Sequence, residues 1–292
     1  MNNLIANYER ILEVLRNISK ENLLPYQRRK PKMSDLELIS LNLTAEFMGL
    51  DSENHLFRNL PASLKSKIER SVYNRRKRRL TFFIDEIRLK LARQFNEFEN
   101  CFVVDSMPLE ICKIARSQRS KICKETDYAL PNKGYCASQN MHFYGYKLHA
   151  VCSVQGVFQS FDLSPASVHD IHYLKDIKTQ LSGCVLLADK GYLSSEIQID
   201  LFNSVNIDLE TPKRINQKDY KPQFYLFKKY RKRIETLFSQ LCDQFMIRRN
   251  YAKTFEGFKT RILTKITTLT VIQFINKEYF NRNINNLKTQ II

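Results

Sequence analysis

"CVLLADKGYL", residues 184–193, reads as the interior of a buried strand that runs straight into a charge. Val185 to Ala188 are four apolar or small residues in succession, and Asp189, Lys190 and Gly191 follow at once. A carboxylate withdrawn from water costs several kcal/mol unless a cation or a set of donors meets it. A core strand that ends on an acid therefore calls for partners, and two other segments offer them. "CFVVD" (101–105) is another short apolar run ending on Asp105. In "RKRIETLFSQL" (231–241), Glu235 follows Ile234, a member of an apolar helical stripe with Leu237, Phe238, Leu241 and Phe245. One residue is about 100° of helix, so Glu235 is expected at the boundary between the buried and exposed faces.

The pattern around these acids predicts a mixed sheet. "FYGYKLHAVCSV" and "VFQSFDLSPA" are β-rich runs separated by "QG", a hairpin signal. "HDIHYLKDIKTQL" reads as helix, "CVLLAD" as strand, "SSEIQIDLFNSV" as a Ser-capped helix, and "IDLETP" as a last strand stopped by Pro212. "FKKYRKRIETLFSQLCDQF" returns to helix, and "FEGFKTRILTKITTLTVIQFINKEYF" is expected to be a further helix covering the sheet. Strands interleaved with helices in this order give an α/β fold in which helices flank the sheet. Side-by-side placement of the strands ending in Asp105 and Asp189 would bring both carboxylates to one edge.

Residues before about 98 read differently, as helices throughout. "NYERILEVLRNI" and "TFFIDEIRLKLARQF" hold a helical period, and Ser34 with Glu37 in "MSDLELISL" is a capping-box pattern. The division expected is a helical region over 1–98 and an α/β domain over 99–292.

Charge narrows the partner. The chain carries 47 Lys and Arg against 30 Asp and Glu, net +17. Such an excess favours phosphate backbones or anionic membranes. No apolar run approaches the roughly 20 residues that span a bilayer, and the N-terminus lacks the cleavage site of a signal peptide. Nucleic acid is the expected partner, with no membrane. The seven cysteines are expected as reduced thiols of a cytoplasmic protein. The gaps between Cys112, Cys123, Cys136 and His142 fit no standard zinc site.

Taken singly, each acid has a plain structural reading. Asp105 precedes Ser106 and Pro108 and suits a turn; Asp189 suits a strand-ending turn with Gly191 at positive φ. Glu235 pairs equally well with Arg231 on a helix surface, an arrangement worth only about 0.2–0.5 kcal/mol. Taken together, three carboxylates at one end of a sheet would repel one another unless cations neutralised them. All-oxygen ligation suits Mg²⁺ or Mn²⁺ rather than zinc.

The set "VVDSMP", "YGYKLHAV", "LLADKGY" and "RKRIETLFSQL", in this order, resembles bacterial insertion-sequence transposases with a DDE catalytic core on an RNase H-like fold. Within these it most resembles the IS982 group. The resemblance implies Asp105, Asp189 and Glu235 as the catalytic acids, holding two Mg²⁺ ions, with Mn²⁺ as a substitute. It implies hydrolysis of phosphodiesters at the ends of an insertion sequence and strand transfer into target DNA. A homodimer or larger assembly would hold both ends, in the nucleoid-associated cytoplasm of a bacterium. Arg231 stands four positions before Glu235, as in the Tyr–Arg–Glu–Lys signature of related transposases, but Lys228 and Cys242 replace its Tyr and Lys. His169 and Asp170 are candidates for supporting roles. Two other readings share these residues: a metal-dependent nuclease of the same fold, and an inactive DNA-binding derivative.

The DNA-binding candidates are two basic stretches. Arg75, Arg76, Lys77, Arg78 and Arg79 form one run between N-terminal helices, which are expected to read the element's inverted repeats. Lys213, Arg214, Lys228, Lys229, Lys232 and Arg233 precede or flank Glu235 and are interleaved with Tyr220, Phe224, Tyr225, Phe227 and Tyr230. Basic and aromatic side chains together suit distorted or partly single-stranded DNA, although at least half of these aromatics are expected in the core.

Overall fold

A computed structural model describes residues 3–25, 30–213, 220 and 222–292. They form two compact units, one from residues 1–94 with 240–292 and the other from residues 95–239.

The first unit is helical: α1 (Asn3–Ile18), α2 (Asp35–Phe47), α3 (Glu53–Asn59), α4 (Ala62–Lys65), α5 (Arg70–Arg79) and most of α6 (Thr81–Asn96). The capping box at α2 is formed, with Ser34 Oγ accepting from Glu37 N at 3.1 Å and Glu37 Oε2 accepting from Ser34 N at 2.7 Å. Next to it, Asp35 is fully buried. Its Oδ2 accepts from the backbone N–H groups of Leu23 and Leu24, both at 2.8 Å, and its Oδ1 accepts from Arg76 Nη2 at 2.7 Å. One carboxylate thus ties the segment before α2 to α5.

The second unit is built on a six-stranded mixed sheet: β1 (Cys101–Cys112), β2 (Asn132–Cys136), β3 (Met141–Ser153), β4 (Phe158–Pro165), β5 (Cys184–Leu187) and β6 (Ile207–Glu210). Antiparallel pairing joins β1 to β3, and β3 to both β4 and β2; parallel pairing joins β1 to β5 and β5 to β6. This is a mixed α/β sheet, as the sequence pattern predicts. The β3–β4 hairpin turns at Gln155–Gly156, where glycine takes φ +94. β2 is short and largely polar, so it carries no hydrophobic signal in the sequence.

Alternation along the strands gives the sheet two packed faces. On one, Phe102, Val104, Val151, Leu186 and Ala188 pack against Tyr173, Leu174 and Ile177 of α7 (Tyr173–Ile177) and Leu201 of α8 (Ser195–Val205). Val103, Asp105 and Met107 point to the other. α9 (Tyr225–Asp243) begins in this unit, and its Arg231 and Arg233 act electrostatically on Asp105 and Cys152 respectively.

The last helix departs from expectation. α10 (Phe255–Glu278) groups with the N-terminal helices, packing on α2 and α1, and not with the sheet's own unit, where the sequence pattern puts it. It is buried without a break from Ile262 to Gln273, so it has no polar face to reveal which neighbours it covers. Its buried Lys265 is paired with Glu46 of α2. The boundary expected near residue 98 therefore has a second crossing at 239/240.

Candidate active site

β1 does not end at Asp105. It continues to Cys112 because its antiparallel ladder with β3 runs on, while the parallel ladder with β5 stops at the pair Val103–Leu187. Asp105 thus lies on a paired strand at the point where one neighbour drops away. Pro108, which donates no backbone hydrogen bond, is tolerated in that half-free stretch. Two residues past that last pair, Asp189 follows the end of β5, and its charge acts on the Asp105 carboxyl.

Each carboxylate is fixed locally. Asp105 Oδ1 accepts from Ser106 N at 2.8 Å, and Asp189 Oδ1 accepts from Gly191 N at 2.7 Å, capping a single 3-10 turn, Lys190–Tyr192. Gly191 is not at positive φ, contrary to the turn reading; its role is closeness, since a Cβ there would lie 2.9 Å from Asp189 Oδ1. Lys190 is exposed.

The electrostatics mark the pair as strained. Burial pushes the Asp105 carboxyl up to about 7, and the charges of Asp189 and Asp170 push the same way, against the Ser106 hydrogen bond and Arg231. Arg231 is therefore close enough to favour the Asp105 anion. Glu235 is exposed on α9 rather than at a buried boundary, and among the described residues no cluster of three or more His, Cys, Asp or Glu side chains is gathered to hold a metal. Two of the three expected acids are brought together; the third is on a helix whose Arg231, one turn earlier, acts on Asp105.

Behind the acids, on the face that carries α7, lies a polar group that the sequence signals only through the alternation of "YKLH". Lys147 Nζ donates to Asp170 Oδ1 and to Val168 O, each at 2.9 Å. His149 Nε2 lies 2.7 Å from Ser164 Oγ, its ring stacked on Tyr173 at 5.0 Å, and burial lowers its pKa to about 4. His149 is thus an inward-facing strand residue. At the start of the helical turn it is His169, and not Asp170, that caps: its Nδ1 accepts from Ile171 N at 3.3 Å. Tyr192, which closes the Asp189 turn, is buried and its hydroxyl has no hydrogen-bond partner among the described residues.

The basic candidates sort by exposure. Lys228, Lys229 and Lys232 are exposed on α9, Lys213 and Arg233 are half-buried, and Arg214 lies outside the described residues. None of the interleaved aromatics is in the core, contrary to expectation: Tyr220, Phe224 and Tyr225 are exposed, and Phe227 and Tyr230 half-buried. Tyr225 lies on the side of α9 opposite its apolar stripe, whereas Phe227 and Tyr230, seven and four residues before Ile234, continue the stripe toward the start of the helix. In the first unit, Arg75, Arg78 and Arg79 are exposed, Lys77 pairs with Glu53 at 2.7 Å, and Arg76 is buried against Asp35. Arg76 is a fold anchor and not a DNA contact.

No helix among the described residues is long and apolar enough to cross a membrane. No curated protein matches the chain. Among solved structures, a weak match is to a "Mos1 transposase paired-end complex with left transposon end", 11% identical over 90% of this chain and 85% of that one, with a TM-score of 0.23. The family model described as "Transposase DDE domain" matches residues 96–271, a span that takes in Asp105, Asp189 and Glu235. The chain belongs to the DDE transposase family.

Proposed function

We propose that this protein is the transposase of an insertion sequence, cutting phosphodiesters at the element's ends and joining the freed ends to target DNA. The observation that carries the reading is the nearness of Asp105, within β1, to Asp189, just past the end of β5, in a chain of this family. Asp105, Asp189 and Glu235 are the proposed catalytic acids on an RNase H-like core, and the sequence motifs favour the IS982 group.

The donors suit a hard divalent cation. Asp105, raised to about 7 by burial and then by the charge of Asp189, gains most from a doubly charged ion that prefers oxygen. Asp105 and Asp189 would hold Mg²⁺ or Mn²⁺, with Glu235 as the proposed third ligand for two ions. Bound there, the ions would supply Lewis acidity at the scissile phosphate. Arg231 favours the ionised Asp105 carboxyl, the form that ligates. Lys228, Lys229, Lys232 and Arg233, with Tyr225 and Phe224, form a basic and aromatic face on which distorted DNA ends would lie; Lys213 and Arg214 extend it. Paired ends call for a dimer or larger assembly.

Asp189→Asn provides the test. Divalent-ion-dependent cleavage of end-containing DNA should fall by about a thousandfold or more, while duplex binding is kept. Survival of cleavage would remove Asp189 from the site. A strand-transfer assay with pre-cut ends separates this reading from a plain nuclease, which gives no joined product.

A further inference from the structure

The basic run at the end of α5 serves two purposes, and its outward half lines a cleft. The cleft, of about 670 Å³, is bounded by Pro31 and Lys32, by the α4–α5 turn, and by one face of α5. Two of its cations are taken: Arg76 by Asp35 and Lys67 by Glu37, each at 2.7 Å. Lys32, Lys65, Arg75 and Arg79 are exposed, and among the described residues none of them has an ion pair or side-chain hydrogen bond. Glu69 is the only carboxylate among the described lining residues. Ile68 and Val72 supply an apolar lining between the charges.

A purely structural explanation covers part of this. Basic side chains in a last helical turn complement the helix dipole, each worth about 0.3–1 kcal/mol. That accounts for residues 76–79. It does not account for Lys32, which lies in no helix, nor for Arg75, whose i,i+4 spacing from Arg79 is a like-charge one that costs a helix about 0.2–0.5 kcal/mol. Unpaired cations kept around a concavity concentrate positive potential there.

We propose that this cleft binds the phosphate backbone of duplex DNA. The proposal rests on the transposase reading and specifies one of its DNA contacts. Arg75 and Arg79 are about 6 Å apart along α5, against about 3.4 Å of duplex axis per phosphate of one strand. They therefore reach separate phosphates, and Lys32 and Lys65 extend the rim. Contacts of this kind to phosphates fix the register and orientation of a duplex.

The experiment is a salt titration of binding to a random duplex, for the full chain carrying K32A, K65A, R75A and R79A together. The slope of log affinity against log salt should become shallower by roughly 0.9 for each phosphate no longer neutralised, about 3 to 4 in all. A control replacing four exposed lysines elsewhere, Lys20, Lys175, Lys259 and Lys288, should keep the slope within one unit. If the quadruple variant does not fold, R75A with R79A alone should give about half the change. Equal changes in cleft and control variants, or an unaltered slope in the cleft variant, overturn the proposal. Catalysis is read separately: with cleavage abolished in Asp189→Asn, an unaltered slope sinks the cleft and leaves the transposase reading standing.

Discussion

Asp105, within β1, and Asp189, just past the end of β5, each lie two residues beyond Val103–Leu187, the last pair of the β1–β5 ladder, and the charge of Asp189 acts on the Asp105 carboxyl. The sheet thereby brings together two like charges, one of them largely withdrawn from water. This arrangement costs the fold stability in the absence of a cation, and the cost has a definite pH dependence.

The Asp105 carboxyl has a folded pKa of about 7, above its ordinary 3.8, first through burial and then through Asp189. A raised folded value means that the native chain holds this proton more tightly than the unfolded one. Its contribution to stability is complete below about pH 4 and is lost as pH rises through 7. Asp105→Asn has no such loss. In chelating buffer its thermal midpoint should exceed that of the parent by an amount that grows from about pH 4 to pH 7 and then levels off. The ceiling is about 4 kcal/mol at ~1.36 kcal/mol per pH unit, reduced by the access that water keeps to a partly exposed carboxyl. A difference independent of pH would show that Asp105 titrates normally.

Gly191 makes a separate claim about the same pair. Alanine is sterically allowed by its backbone, but the new Cβ would press on Asp189 Oδ1 and break the 2.7 Å bond from Gly191 N. The carboxylate would rotate away from Asp105. Gly191→Ala should lower cleavage about ten- to a hundredfold, or ~1.4–2.7 kcal/mol of barrier, with little loss of stability because alanine restricts the unfolded chain. Unchanged turnover with a lowered melting temperature would reverse the assignment, making the turn structural.

How much of this is legible in the sequence follows from the range of each signal. "CVLLAD" and "CFVVD" announce two buried strands ending or pausing on acids, because desolvating a carboxylate is costly wherever it occurs. Their adjacency, however, depends on which strands pair, and that depends on β3 taking β4 and β2 on its far edge. The capping box at Ser34 and Glu37 is contained in four residues and is legible outright. The place of α10 is not, since a helix buried on all sides gives no amphipathic clue to its neighbours. Nor is the exposure of Glu235, because a position about 100° from a stripe can fall on either side of the boundary. The run at residues 75–79 looks uniform in sequence only because the partners that divide it, Asp35 and Glu53, lie more than twenty residues upstream.

That division can be measured. Asp35 is fully buried and meets Arg76 Nη2, Leu23 N and Leu24 N, so removing either charged partner breaks a buried ion pair inside the helical unit. Asp35→Ala and Arg76→Ala should each destabilise the fold by about 3–5 kcal/mol. The double substitution should cost clearly less than the sum, since each single change already breaks the shared interaction. Arg75→Ala, one position away and exposed, should stay within about 0.5 kcal/mol of the parent, yet weaken duplex binding. Urea unfolding of the four variants decides the matter. A large cost at Arg75, or strict additivity at Asp35 and Arg76, would mean that the buried pair is not the joint between α2 and α5.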